Sequence, residues 1–210
     1  ITAGRTEELI DPVRYISNRS SGKTATAIAS VFYEAGFDVT MVCGPMDVAA
    51  PGFSKVVNVR SAIEMHEAVL SRAKDYDVLV HCAAVADYRP AEVANEKIKD
   101  SRSQLHLDLI PNPNILRDSV AQKRKGQVVV GFALETEKPE LHAKEKLEKS
   151  GADLLVLNMP VAKESGFGKD NVAFSLVEKG GAVPELQMAS KRDLALGILR
   201  FTLLELEKTK

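Results

Sequence analysis

Residues 22–43, GKTATAIASVFYEAGFDVTMVC, decide the fold. Ala25, Ile28, Ala29, Val31 and Phe32 recur at helical spacing, which predicts a helix over 22–35 stopped by Gly36. DVTMVC, residues 38–43, is a β-rich run ended by Gly44-Pro45, so it predicts a strand. Ile1 to Ala3 read as the tail of an earlier strand. Together the three pieces make one βαβ unit.

The theme continues outward from that unit. Strands are expected over 55–59, 77–84, 128–133 and 153–157, and helices over 62–73, 113–122 and 140–149. The runs VLVHCAAV and VVVGFA are apolar without alternation, as in a parallel sheet covered on both faces. Two stretches depart from this. QLHLDL (104–109) alternates, which predicts a strand with one wet face, and residues 171–177 and 182–188 flank a Gly180-Gly181 hairpin signal. Residues 194–206 close the chain as an amphipathic helix. The expected fold is therefore an α/β, doubly wound, Rossmann-like and mostly parallel sheet with helices on both faces and a small antiparallel extension. Residues 1–210 read as a single domain. Because the chain starts at Ile1, within what reads as a strand, a fragment of something longer is the expectation.

Composition narrows the function classes. Lys plus Arg number 28 against 29 Asp plus Glu, so the basic excess of a generic nucleic-acid binder is missing. No run approaches the roughly 18 apolar residues that span a bilayer, and no signal peptide is visible, so a cytoplasmic, membrane-free protein is expected. Cys43 and Cys82 lie in apolar strand-like runs and read as reduced, buried thiols. His66, His81, His106 and His142 have no metal-ligand spacing, and no nucleophile triad is apparent.

Ligands of open α/β sheets bind at the carboxyl ends of strands, so the loops there are where chemistry is sought. The first, from Gly4 to Lys23, is long and polar and leads into a helix. Its Ser20-Ser21-Gly22-Lys23 end suits a phosphate at a helix N-terminus, and the loop's length and polar groups favour that over Ser20 or Ser21 as a plain N-cap. Ser21-Gly22-Lys23-Thr24 ends like a P-loop, but the first glycine of that motif would fall at Ser17. No GxGxxG is present either, and no tyrosine is followed four positions on by a lysine, which disfavours a dinucleotide oxidoreductase. Asp87, after the apolar strand, could hold a divalent ion or cap a turn. Glu96-Lys97-Ile98-Lys99 suits a loop that closes on phosphates, or an ordinary solvated surface.

ITAGRTEELIDPVRYISNRSSGK, VTMVCGP, HCAAVADYRP, EKIK, VVVGFALET, LNMP and GFGKDN follow one another along the chain. In these motifs and their order it resembles the phosphopantothenoylcysteine synthetase (phosphopantothenate–cysteine ligase) family, nearly end to end. The resemblance implies a CTP-dependent ligase of coenzyme A biosynthesis. The 4′-phosphopantothenate carboxylate would attack the α-phosphate of CTP to give an acyl-cytidylate and pyrophosphate, and the amine of cysteine would then release CMP. Mg²⁺ is implied as cofactor beside the CTP co-substrate, with a homodimer and a fused or associated decarboxylase as partners.

It also implies roles. Asn18 would hold the acyl-cytidylate, Arg14 would lie near the reacting carboxylate or the substrate phosphate, and Lys97 would stabilise the α-phosphate. Gly4, Ala84, Asp87, Lys97, Lys99, Phe132, Asn158 and Phe167 would frame the nucleotide, with Asp87 also at the metal. Asn18, Ser20, Ser21, Gly22 and Lys23 would bind substrate or phosphate, and whose phosphate stays open. The chain departs from the family pattern at Arg5, where a second glycine is usual, at Asp100, where a lysine is usual, and at Thr24-Ala25-Thr26.

Overall fold

The computed structural model describes residues 1–99, 104–134, 139–159 and 169–209. Its main sheet has eight strands. Six are parallel: β1 (Thr2–Ala3), β4 (Thr40–Cys43), β5 (Lys55–Asn58), β6 (Val78–His81), β9 (Val128–Leu134) and β10 (Leu154–Met159). Their spatial order, β5-β4-β1-β6-β9-β10, runs one way from β1 and then the other. Strand order therefore reverses between β1 and β6, which is where a doubly wound sheet opens a crevice.

Two further strands, β11 (Asn171–Glu178) and β12 (Gln187–Ser190), continue the sheet antiparallel beyond β10. This is the antiparallel extension expected from the glycine-pair hairpin, with its second strand shifted toward the C-terminus. Pro184 falls within the expected span; it has no N–H for a ladder, and its carbonyl accepts the Ser175 hydroxyl at 2.8 Å.

Helices cover both faces. α1 (Lys23–Glu34) and α5 (Lys191–Glu207) pack together on one, over Ala3, Met41, Val80, Val130, Leu154 and Val156. On the other lie α2 (Ala62–Leu70), α3 (Ile115–Ala121) and α4 (Pro139–Ser150), over Val42, Leu79, Val129, Leu155 and Leu157. Neighbours such as Leu154 and Leu155 face opposite layers, which is why these strands read as apolar without alternation. Each fully buried Ile, Leu or Phe side chain contributes ~1.5–3 kcal/mol.

Two small two-stranded antiparallel sheets sit at the carboxyl edge. β2 (Glu7–Leu9) pairs with β3 (Tyr15–Ser17) inside the long first loop, where no strand was expected. β7 (Tyr88–Pro90) pairs with β8 (Leu109–Pro111). The strand expected over 104–109 is thus displaced: residues 104–108 are irregular and pairing starts at Leu109. Leu105, Leu107 and Leu109 are all exposed, so no sheet face receives the alternation.

Candidate functional site

The site grows from the β1–β6 crevice. β1 is followed by Gly4, whose φ of +77° a side chain would resist; an added Cβ would also sit 2.6 Å from the Pro45 carbonyl oxygen. This close approach brings the first loop against the loop after β4. Arg5 does not point at the crevice: its guanidinium donates to the Ser20 carbonyl at 2.8 Å and to Asp47 at 2.9 Å. The departure from the family's second glycine is accommodated this way, and Arg5 braces the segment that leads into α1.

Gly22 is the N-cap residue of α1, with φ +83° and no side-chain cap. α2, α3 and α5 are capped by Ser61, Asn114 and Ser190. Gly22 has no side chain to cap the helix, Ser21 Oγ accepts the Lys23 N–H at 3.5 Å, and the start of α1 lines the cleft with the positive end of its dipole.

Two clefts open at the carboxyl edge, one on each face of the sheet. The cleft on the α1 and α5 side, about 470 Å³, is lined by Gly4, Asn18, residues 19–25, Cys82, Ala84, Asp87, Phe132, Asn158 and Lys191, among others. The cleft on the α3 and α4 side, about 690 Å³, is lined by His81, Asn112, Asn114, Arg117, His142, Lys146 and Lys149, among others. They share Ala83, Val85, Asp87, Phe132 and Lys146, so two ligands could meet over the turn after β6.

Most residues expected from the sequence gather here. The Asn18 side-chain amide donates to the Val85 carbonyl at 3.0 Å, which binds the first loop to that turn. Ala84 lines the cleft with both backbone groups engaged: its N–H donates to Gly4 at 2.9 Å and its carbonyl accepts from Thr6 at 3.3 Å. Asp87 is exposed on both clefts. Phe132 is half-buried between them. Asn158 Oδ1 is buried without a partner, an acceptor that a ligand N–H or O–H would satisfy.

Lys23 Nζ pairs with Asp170 at 2.8 Å, and that contact holds the Asp170 carboxyl below its usual range. Burial pushes the Cys82 thiol up to about 12, so it stays protonated and is no nucleophile. His81 is also buried, its ring nitrogens have no partners, and burial lowers its pKa to about 3.

Arg14, Lys97 and Lys99 lie elsewhere. Arg14 is not among the cleft-lining residues; it closes on the fully buried carboxylate of Asp11, at 2.9 Å through Nε and 2.5 Å through Nη2, and Nη2 also donates to the Ile98 carbonyl at 2.7 Å. Asp11 further accepts the N–H groups of Val13, Arg14 and Ile98. Burial alone would raise this carboxyl, but the guanidinium and the three N–H groups hold it well below the carboxylate range. Lys97 and Lys99 are exposed and flank Ile98, outside both clefts. Phe167 falls outside the described residues.

Sequence reasoning missed Lys191, Lys146 and the whole α3 and α4 side. Lys191 had a readable signal, because Ser190-x-x-Asp193 forms a capping box that starts α5 at Lys191 rather than at Leu194. The second cleft has none, since its polar groups are dispersed over two helices and a loop.

Residues 1–204 match the family described as DNA/pantothenate metabolism flavoprotein C-terminal domain. The chain belongs to that family. It is 42% identical over 209 residues to the coenzyme A biosynthesis bifunctional protein CoaBC of Haemophilus influenzae, covering 100% of this chain and 52% of the relative. The CoaBC of Escherichia coli K12 is 43% identical over 184 residues, covering 86% and 45%. The chain thus spans about half the length of the curated relatives it matches. A crystal structure of the C-terminal domain of CoaBC superposes with a TM-score of 0.82 at 37% identity, covering 99% of this chain and 96% of that one. The same fold recurs at 17% identity and a TM-score of 0.78 in the Cab2 mutant H337A complex with phosphopantothenate-cysteine.

Among the described residues, no helix is long and apolar enough to cross a membrane, and no group of three or more His, Cys, Asp or Glu could hold a metal. A lone carboxylate such as Asp87 still fits Mg²⁺, which keeps several waters and binds through one or two carboxylates plus substrate phosphates.

Proposed function

We propose that the chain is the ligase that joins 4′-phosphopantothenate to cysteine at the expense of CTP, in coenzyme A biosynthesis. The supporting observation is the meeting of two clefts over residues 83–87 and Phe132, one of them ended by the N-terminus of α1 and by lysines. A reaction that joins a nucleotide to an acid needs two such sites with a shared centre. Family membership and the names of its relatives point the same way.

In this reading the substrate carboxylate oxygen attacks the α-phosphorus of CTP, the bond to the β-phosphate oxygen breaks, and pyrophosphate leaves. The cysteine amine then attacks the acyl carbon, the bond to CMP breaks, and a proton is lost from nitrogen. Asn18, donating from beside Val85, holds the acyl-cytidylate for that second attack. Asp87 would hold Mg²⁺, which when bound neutralises phosphate charge. Phe132 and Asn158 frame the nucleotide with Gly4, Ala84 and Phe167. Lys97 and Lys99 reach the phosphates when residues 91–99 close over the crevice together with residues 10–14, to which Ala94 and Ile98 are tied. Arg14 acts on the substrate through its hold on that segment. The protein supplies alignment and charge, in keeping with a protonated Cys82.

The chain works as half of a bifunctional protein that also carries a decarboxylase, in the cytoplasm and as a homodimer. The test is to incubate it with 4′-phosphopantothenate, CTP, Mg²⁺ and cysteine and to follow CMP and pyrophosphate. Formation of both in equal amounts is expected. Absence of both from folded protein overturns the reading, and substituting ATP measures nucleotide preference.

A further inference from the structure

Lys191 is the first residue of α5 and is 8% exposed, an unusual burial for a lysine. Its backbone N–H donates to the Asp170 carbonyl at 3.1 Å and its Nζ to the Lys169 carbonyl, and the residue lines the α1-side cleft. Lys23, at the start of α1, lines the same cleft. Two helix N-termini and two ammonium groups thus converge there. Asp170 is the carboxylate beside them, and its side chain is 90% exposed and turned to Lys23.

Bringing cations together in a desolvated cleft is costly without an anion. Burial first, then Lys23, lowers the Lys191 pKa, while Asp170 opposes this only in part. An anion placed between the lysines relieves that repulsion and gains from the dipole of α1. Of the chemistries that fit, a phosphoryl group carries the charge and the acceptors needed for two lysines and a helix end.

We propose that Lys191 is a phosphate-binding residue of this site, acting with Lys23 to hold a phosphoryl group against the N-terminus of α1. The proposal rests on the ligase reading for the ligand's identity. A CTP phosphate and the phosphomonoester of 4′-phosphopantothenate share the required chemistry. Binding measurements separate the two sources and do not depend on turnover.

Titration calorimetry on the wild type, Lys191→Gln and Lys191→Arg, with CTP–Mg²⁺ and with 4′-phosphopantothenate in separate runs, tests this. Lys191→Gln is expected to weaken one of the two ligands about tenfold, equivalent to ~1.4 kcal/mol, and to leave the other within about twofold. Lys191→Arg is expected to restore most of the loss, and the salt dependence of the affected ligand is expected to flatten in Lys191→Gln. Unchanged affinity for both ligands overturns the proposal. So does equal weakening of both, or loss that arginine does not repair, since either marks Lys191 as an anchor for residues 169–170. Failure of the wild type to bind either ligand would count against the ligase reading instead.

Discussion

The Asp11 carboxylate accepts the backbone N–H of Ile98 at 3.1 Å, across 87 positions of sequence, through the same oxygen that takes the Arg14 guanidinium. Arg14 completes the loop by donating to the Ile98 carbonyl. The residue between Lys97 and Lys99 is thus fixed by both of its backbone groups to the first loop. Ala94 adds a second tie, its N–H donating to Ile10 at 3.0 Å. For Asp11→Asn, the Ile98 amide is expected to exchange with solvent faster and pyrophosphate release to slow ~100-fold, the scale of a misplaced catalytic group. Hydrogen exchange read at Ile98 checks it; unchanged protection would remove Asp11 from the control of that segment.

The same carboxylate sets a pH dependence. Its folded pKa lies below the unfolded value, so its stabilisation is complete above the ordinary carboxylate range and is lost as pH falls through it toward the folded value. Acid unfolding followed by circular dichroism is expected to begin at higher pH in Asp11→Asn than in the wild type.

Asn18 offers a test that separates the half-reactions. Its amide donates to Val85, and a carboxylate in its place cannot donate and repels a phosphate. Asn18→Asp is expected to release pyrophosphate within a few-fold of the wild-type rate and to form the amide ~100-fold more slowly, as when an oriented donor is lost. Rapid-quench sampling of both products measures the split, and equal loss in both steps would mark Asn18 as structural.

His81 is neutral in the fold because burial lowers its pKa to about 3. The unfolded chain protonates near 6.5, so stability is expected to fall as pH drops below that value, by up to ~1.4 kcal/mol per unit. Urea midpoints at pH 7, 6 and 5 are expected to decline in the wild type and to decline less in His81→Leu. Parallel curves would refute the assignment.

Gly4 and Gly22 both have positive φ but different neighbours. A Cβ at Gly4 meets the Pro45 and Gly44 carbonyls at 2.6 and 2.7 Å, whereas at Gly22 it meets only the Met46 side chain. Backbone strain costs each alanine variant ~1–3 kcal/mol. Gly4→Ala is expected to lose more, because backbone carbonyls, that of Pro45 held by the Arg5 N–H, yield less than a thioether, and denaturant midpoints rank the two.

The fold was legible where a residue's surroundings are local or symmetric. Helix α1 shows its stripe, and β6, β9 and β10 show unbroken apolar runs because both their faces are covered. The β2–β3 hairpin was not legible, because Glu7 and Glu8 look like surface charges. Both are buried: Glu8 accepts the Ala62 N–H at 2.9 Å and Glu7 pairs with Arg60 at 3.1 Å, partners more than 50 residues away. At the site, the placing of residues 20–23 and of the residues after β6 on the α1-side cleft was legible because each is a short continuous motif. The placement of Arg14 on Asp11, the burial of Lys191 and the second cleft depend on contacts between distant segments, which periodicity and spacing do not encode.

The ligase account stands most directly on the acyl-cytidylate. Protein at a concentration comparable to 4′-phosphopantothenate, mixed with CTP and Mg²⁺ but no cysteine, is expected to release pyrophosphate in a burst close to one per site. Mass spectrometry of the quenched mixture is expected to find the 4′-phosphopantothenoyl-cytidylate, and added cysteine to convert it to the amide and CMP. Pyrophosphate that appears only once cysteine is present, with no cytidylate at any time, would contradict the account.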